Sequence, residues 1–291
     1  METRRVQKVS VGTLIVSLPK QWAVRHHVKA GTTLSMRENA AGSLIIDPHG
    51  NKVSVKIPQI SDADTLEPSI IAAYIMGAQS IVISNVTQNI RARTLTQLQE
   101  LPGLEVSHET PTTITLKCML DMDELTFNGL LDRLCALLLY GIGLVGNRNG
   151  LLQNEIEINR NYHLAQRMLT RAAYDNVFLR QVGIPLARLI PTYQLLVKRL
   201  EHAGDALKEL PEKSPDALRK AVASLIGLIC DMIRQHTAGK LAAPLPSYEK
   251  IAAFRKSSAA PQLLFLVRTA HDVREELIML RMGHHIFGDL L

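Results

Sequence analysis

Between Leu186 and Leu207 apolar side chains recur at Leu186, Leu189, Ile190, Tyr193, Leu196, Val197, Leu200, Ala203 and Leu207, with no gap in the three-four spacing. At 3.6 residues per turn these positions share one stripe, and a helix with one such stripe must bury it against neighbours. Phe127, Leu130, Leu134, Leu137, Gly141 and Leu144 repeat the pattern, as do Leu263, Leu266, Val267, Ala270, Val273 and Leu277. From about Asp121 onward the chain therefore reads as long amphipathic helices. Breaks are expected at Gly183 to Pro185, at Leu210 and Pro211, and at Ala243 to Pro246, with Ser214 and Pro215 as a cap and first-turn signal. Long helices joined by short breaks make an antiparallel bundle. Only 4% of the 291 residues are aromatic, so its core must be mostly Leu, Ile, Val and Ala. The 46% apolar and 21% charged fractions exclude a disordered or collagen-like chain.

The first part of the chain has a different period. Thr13 to Leu18 and Ser43 to Asp47 alternate as short strands do, with Gly12, Gly31 and Gly42 where turns are needed. Pro19 to Arg25 reads as one short helix with Pro19 in its first turn. Fewer than fifty residues of short strands cannot bury enough surface alone, which predicts a homodimer. A compact α+β unit follows. Its expected elements are a strand from Lys52 to Pro58, a helix from Asp62 to Gly77 capped by Asp62, a strand from Ser80 to Ser84, a helix from Thr87 to Leu101, and strands from Leu104 to His108 and Thr112 to Met119. The expected organisation is multidomain α+β, divided as 1–50, 51–119 and 120–291.

Charge is concentrated where the strands begin. Residues 1–57 hold nine Lys and Arg against three acids, a surplus of six that equals the net charge of the whole chain. That is the pattern of an appended polyanion-binding module, with a solvated basic face as the other reading. Three widely spaced cysteines, Cys118, Cys135 and Cys230, form no CxxC pair and suggest buried thiols in a reducing compartment. With no apolar leader and no run long enough to span a bilayer, the expectation is a cytoplasmic chain without membrane insertion.

Enzyme signatures are sparse. Gly141, Gly143 and Gly146 spell GxGxxG, but they lie within a helical apolar stripe and do not follow a strand, so close helix packing is expected there rather than a dinucleotide turn. Asn85 to Thr87 matches a glycosylation acceptor that a cytoplasmic chain would not use. No phosphate loop, nucleophile elbow or HExxH occurs, and no enzymatic activity is expected.

Arg4 to Val9, Gly12 to Lys20, Trp22, Gly31 and Ser43 to Ile46 together resemble the SpoVT/AbrB family, whose members form a swapped-hairpin β dimer that binds DNA. The resemblance covers about the first fifty residues. By position it nominates Arg4, Arg5, Lys8, Lys20 and Arg25 as DNA-binding side chains. Thr13 stands where many bacterial members carry Arg, and Ala23 and Val24 replace the arginine pair usual in the short helix. With fewer arginines to read guanine edges, phosphate contact is the expected mode, so binding would be strongly salt-dependent and weakly sequence-selective. A dimerisation module with a charged surface is the alternative.

Within the helical part, Arg199 to Ala206 resembles the ExxxD motif of PhoU-like proteins, phosphate-uptake regulators built from two three-helix units. The resemblance implies a divalent or trivalent metal ion at Glu201 and Asp205, which stand one turn apart at the edge of the stripe. Glu155 and Asn159 have the same spacing and lie where the family's earlier acidic motif is expected, with Asn159 in place of Asp. A solvated acidic edge paired with Arg199 or Lys198 is the other reading. A third acidic motif falls nearest His271 and Asp272, where helical geometry sends Asp272 toward solvent. The adjacent pairs His26–His27 and His284–His285 point in different directions on a strand or helix, so neither makes a ready bidentate site, and Arg91 and Arg93 read as an exposed basic edge.

An AbrB-like strand dimer joined through an α+β unit to a PhoU-like bundle resembles the archaeal-type phosphate uptake regulators. The resemblance implies a cytoplasmic homodimer that binds DNA and controls phosphate transport. A non-DNA signalling adaptor, docking on a phosphate transporter ATPase or a sensor kinase, is the first rival. A metal-dependent hydrolase on bundle carboxylates is the second, for which Glu201 and Asp205 alone supply too few ligands.

Overall fold

The computed structural model describes residues 3–10, 12–38, 44–48, 56–257 and 259–287. Gly42 and most of the strand expected from Lys52 lie outside them. The chain divides into two compact units, Met1–Val55 and Lys56–Leu291.

The first unit consists of two hairpins around a short helix. Strands β1 (Gln7–Ser10) and β2 (Thr13–Ile15) pair antiparallel with Gln7 opposite Ile15 and Lys8 opposite Leu14. The turn between them uses Gly12 at φ +87°, a left-handed conformation that glycine adopts without steric cost. After α1 (Lys20–Arg25), a second left-handed glycine, Gly31 at φ +86°, leads to β3 (Ser35–Glu38), which pairs antiparallel with β4 (Leu44–Asp47). Each hairpin is its own two-stranded sheet. The specific swapped-hairpin arrangement is a matter of how two copies meet.

In the second unit a four-stranded sheet runs in the order β5 (Gln59–Ile60), β6 (Ser80–Ser84), β8 (Thr113–Cys118), β7 (Leu104–Glu109). β5 and β6 are parallel, connected through α2 (Leu66–Ile75), and the other pairings are antiparallel. Alternation sends Ile81, Ile83, Ile114 and Leu116 into a core completed by Leu66, Ile70 and Tyr74 of α2 and Ile90 of α3 (Gln88–Leu98). Thr87 caps α3 through a hydrogen bond from the Ile90 amide. Asp62 does not cap α2: its carboxylate accepts from the Asp64 amide and the Thr65 hydroxyl, folding the turn before the helix.

Five long helices, α4 (Phe127–Gly143), α5 (Arg148–Tyr174), α7 (Ile190–Lys208), α8 (Asp216–Thr237) and α10 (Pro261–Phe287), pack around one hydrophobic core. The short α6 (Asn176–Gln181) and α9 (Tyr248–Ala252) lie in the connections. Neighbours run α4, α5, α7, α10, α8 and back to α4, with α4 also touching α7, so the ring is closed and filled. This is a single core rather than the two three-helix units the resemblance implies. Every stripe residue from Leu186 to Leu207 is buried. Ser214 is not a helix cap: its hydroxyl donates to the Pro211 carbonyl, and Pro215 occupies the capping position of α8.

Gly141 lets α4 and α5 approach closely, since a Cβ there would stand 2.7 Å from Asn154 Nδ2 and 3.1 Å from Leu207 Cδ1. The GxGxxG residues therefore serve helix packing and the α4–α5 turn. Cys118, Cys135 and Cys230 are all buried free thiols. Contact with Cys230 and burial push the Cys135 thiol up, which makes it an inert thiol at neutral pH. No helix among the described residues is long and apolar enough to cross a membrane.

Candidate nucleic-acid interface and acidic edge

Arg4, Arg5, Lys8, Lys20 and Arg25 are all exposed. Arg4 and Arg5 lead into β1, Lys8 stands on β1 across from Leu14, and Lys20 and Arg25 begin and end α1. Apolar groups on the same elements are exposed too: Val6, Val9, Leu14, Ile15, Val16 and Val24 range from 46% to 68%. Among the described residues of this first unit whose exposure is defined, none is buried. Ile45 and Ile46 of β4 are only half-buried, so a hairpin pair with no fully buried apolar side chain lacks the main source of stability available to a strand, and isolated two-stranded hairpins are marginal at best. The unit is therefore complete as a ladder of backbone hydrogen bonds and incomplete as a folded core.

The acidic edge is organised differently from its sequence spacing. Lys208 forms an ion pair with Glu155 and lies 3.7 Å from Asp205, so one ammonium joins α5 to α7. Burial works to lower the Lys208 pKa, but the Glu155 hydrogen bond and the nearby Asp205 charge outweigh it, and the ammonium is held above its ordinary value. Glu201 pairs with Lys198 Nζ at 2.8 Å, and His202 Nε2 lies 3.8 Å from the same carboxylate. Asn159 Nδ2 donates to Glu100 Oε1 at 3.4 Å, toward the sheet layer. The structure thus brings together Glu155 and Asp205, on different helices, rather than Glu155 with Asn159. No group of three or more His, Cys, Asp or Glu able to hold a metal occurs among the described residues.

Three other expectations change. Asp272 is not turned to solvent but pairs with Arg199 Nε at 3.3 Å, tying α7 to α10. His271 stacks on the Tyr248 ring at 4.9 Å. Arg91 and Arg93 do not form an open basic edge: Arg91 pairs with Glu109, while Arg93 binds Glu67 through Nε and Nη2 at 2.6 Å each. That guanidinium fork lowers the Glu67 pKa.

Two internal polar groups carry no sequence signature. Arg167, 2% exposed, directs Nη1 to the Tyr74 and Ala78 carbonyls at the C-terminal end of α2, with its guanidinium 4.8 Å from the Tyr74 ring centre. His236, 5% exposed, bonds the Tyr193 hydroxyl through Nε2 at 3.3 Å. Burial, followed by His284 and Arg281, lowers the His236 pKa to about 4. Unfolded histidine titrates near 6.5, so between these values the unfolded chain binds more protons than the folded one. Stability should be fully present above about pH 6.5 and fall by about 3 kcal/mol as pH drops to about 4. Denaturant unfolding of the native chain and of His236→Gln across this window checks it, and the variant should show the shallower acid slope.

A groove of about 490 Å³ lies between α4 and α5, lined by Arg133, Leu137, Tyr140, Asn154 and Glu157 among others. No protein-family model, no curated protein and no solved structure matches this chain.

Proposed function

We propose that the chain is a homodimeric DNA-binding regulator of phosphate uptake, in which two copies of the first unit complete one another and present their cations to the DNA backbone. The observation that carries the reading is the first unit itself, where exposed apolar strands and exposed Arg4, Arg5, Lys8, Lys20 and Arg25 occupy the same few elements and no described residue of defined exposure is buried. A second copy removes the apolar side chains from water and doubles the local positive charge in one step. The fold name, a swapped-hairpin AbrB-like dimer, and the link to phosphate rest on the resemblances of the two ends of the chain. The bundle is the part that senses or docks.

Fluorescence anisotropy of a labelled duplex against salt tests this. Ten phosphate contacts in a dimer set an upper limit of about −9 for the slope of log affinity against log salt. Replacing Arg5 and Lys8 together by Ala should reduce that slope by about 3 to 4, nearly equally for unrelated sequences. Absence of binding even at low salt would favour the adaptor, with a transporter ATPase or a sensor kinase as its partner.

A metal belongs to this reading only by competition. Glu155 and Asp205 already share the Lys208 ammonium, and Glu201 is held by Lys198, so a divalent or trivalent ion enters the edge by displacing a lysine. Lys208→Ala should therefore bind Mn²⁺ at least about tenfold more tightly than the native chain in calorimetry, about 1.4 kcal/mol. Equal heats for the two proteins would remove the metal from the account.

A further inference from the structure

The end of the bundle holds donors that nothing among the described residues satisfies. Arg281 spends Nη1 on the Ala243 carbonyl, but Nε and Nη2 are buried and have no hydrogen-bond partner. These two nitrogens are adjacent on one edge of the guanidinium, the edge that grips two oxygens of a carboxylate or phosphate at once. His236 Nδ1 is orphaned as well, in a side chain 95% removed from solvent and fixed through Nε2 by the Tyr193 hydroxyl. His284, three residues after Arg281 on α10, places its ring 6.2 Å from that of His236.

Burial, then His284 and Arg281, acts on His236, and burial on Arg281 and His284, with no ion pair to an Asp or Glu made by any of the three among the described residues. A guanidinium edge buried without a carboxylate is costly, and orphaned donors in a protein interior call for an acceptor. Arg167 differs in degree, since both its Nη groups reach the Tyr74 and Ala78 carbonyls and its Nε alone is left without a partner. Among the described residues, Arg281 has the Ala243 carbonyl as its hydrogen-bond acceptor. The nearest orphaned acceptor in sequence to His236 is Gln235 Oε1, which is neutral and leaves the charge unmatched. His284 and Arg281 are partly exposed, so the site borders solvent.

We infer that Arg281, His236 and His284 form a binding site for a small oxyanion, held bidentately by Arg281 Nε and Nη2 and capped by His236 Nδ1. Phosphate and carboxylate share the two-oxygen geometry that this edge recognises. The inference is independent of DNA binding by the first unit and survives its failure.

The test is side-chain NMR of the full chain with ¹⁵N-labelled Arg and His, titrated separately with inorganic phosphate and with acetate into the millimolar range at constant ionic strength. The Arg281 Nε–H and His236 resonances should move and saturate, the His236 pKa should rise on binding, and the melting temperature should rise with anion concentration. Phosphate acting where acetate does not assigns a phosphate-type ligand, and the converse assigns a carboxylate; either supports the site. Arg281→Lys keeps the charge and loses the fork, so its affinity should fall at least about tenfold. The native chain alone suffices for the overturning result, which is that neither anion shifts either residue.

Discussion

Arg167→Ala should destabilise the second unit by about 3 kcal/mol in denaturant unfolding, because it strips buried carbonyls of a charged donor and leaves a cavity between α5 and α2. The geometry explains why so polar a side chain is kept inside. α2 ends at Ile75, and Gly77 follows at φ +88°, so the carbonyls of its last turn point away from the helix with the negative end of its dipole. Arg167 supplies the cation that this end favours, and Tyr74, whose hydroxyl is spent on Pro102, gives the guanidinium an aromatic wall. Arg167→Lys keeps the charge and one donor direction and should lose about half as much. Arg167→Met fills volume but offers no donor, so it should behave nearly like Ala. A result in which Met is as stable as Arg would show that packing, not the carbonyl contacts, is what the residue contributes.

A second large effect concerns the first unit. Leu14 and Ile15, 68% and 46% exposed, stand opposite Lys8 and Gln7 on the β1–β2 hairpin. On the proposed reading they are the side chains a second copy covers. Leu14→Lys with Ile15→Lys adds positive charge, which by itself strengthens attraction to DNA. If dimerisation is what assembles the binding face, the double variant should nevertheless bind duplex about 10²- to 10³-fold more weakly, the loss expected when two linked half-sites become one. Unchanged or tighter binding would mean that single subunits suffice.

How far the sequence foretold the molecule depends on whether the governing interaction is periodic. The stripe from Leu186 to Leu207 was legible because every member faces one core, and Ser80 to Ser84 because Ile81 and Ile83 alternate with half-buried neighbours. Helix starts were harder. Thr126 and Asn147 cap α4 and α5 through bonds from the Gly129 and Gly150 amides, but one polar residue before an apolar run is a weak signal, and the apolar run up to Gly146 concealed the turn. Ser214 shows the opposite error, a good local signal overruled when its hydroxyl turned to Pro211.

The acidic edge was legible in composition and not in pairing. Spacing along one helix placed Glu201 with Asp205 and Glu155 with Asn159, whereas the partner of Glu155 is Lys208, more than fifty positions away. Only the packing of α5 on α7 brings them together. Arg167, His236 and Arg281 were missed for the same reason. Each is a polar letter inside an amphipathic helix, and nothing in the sequence says that the acceptor it meets belongs to another element. The first unit was legible from its charge, its strand alternation and its small size, and the exposure of its apolar strands bears on the same reason for a second copy.

Sedimentation equilibrium of the intact chain tests that reason most directly. The account predicts a mass twice the 32.2 kDa of one chain, reverting to a single chain in the Leu14→Lys, Ile15→Lys variant. A single-chain mass for the unaltered protein across the micromolar range would contradict it.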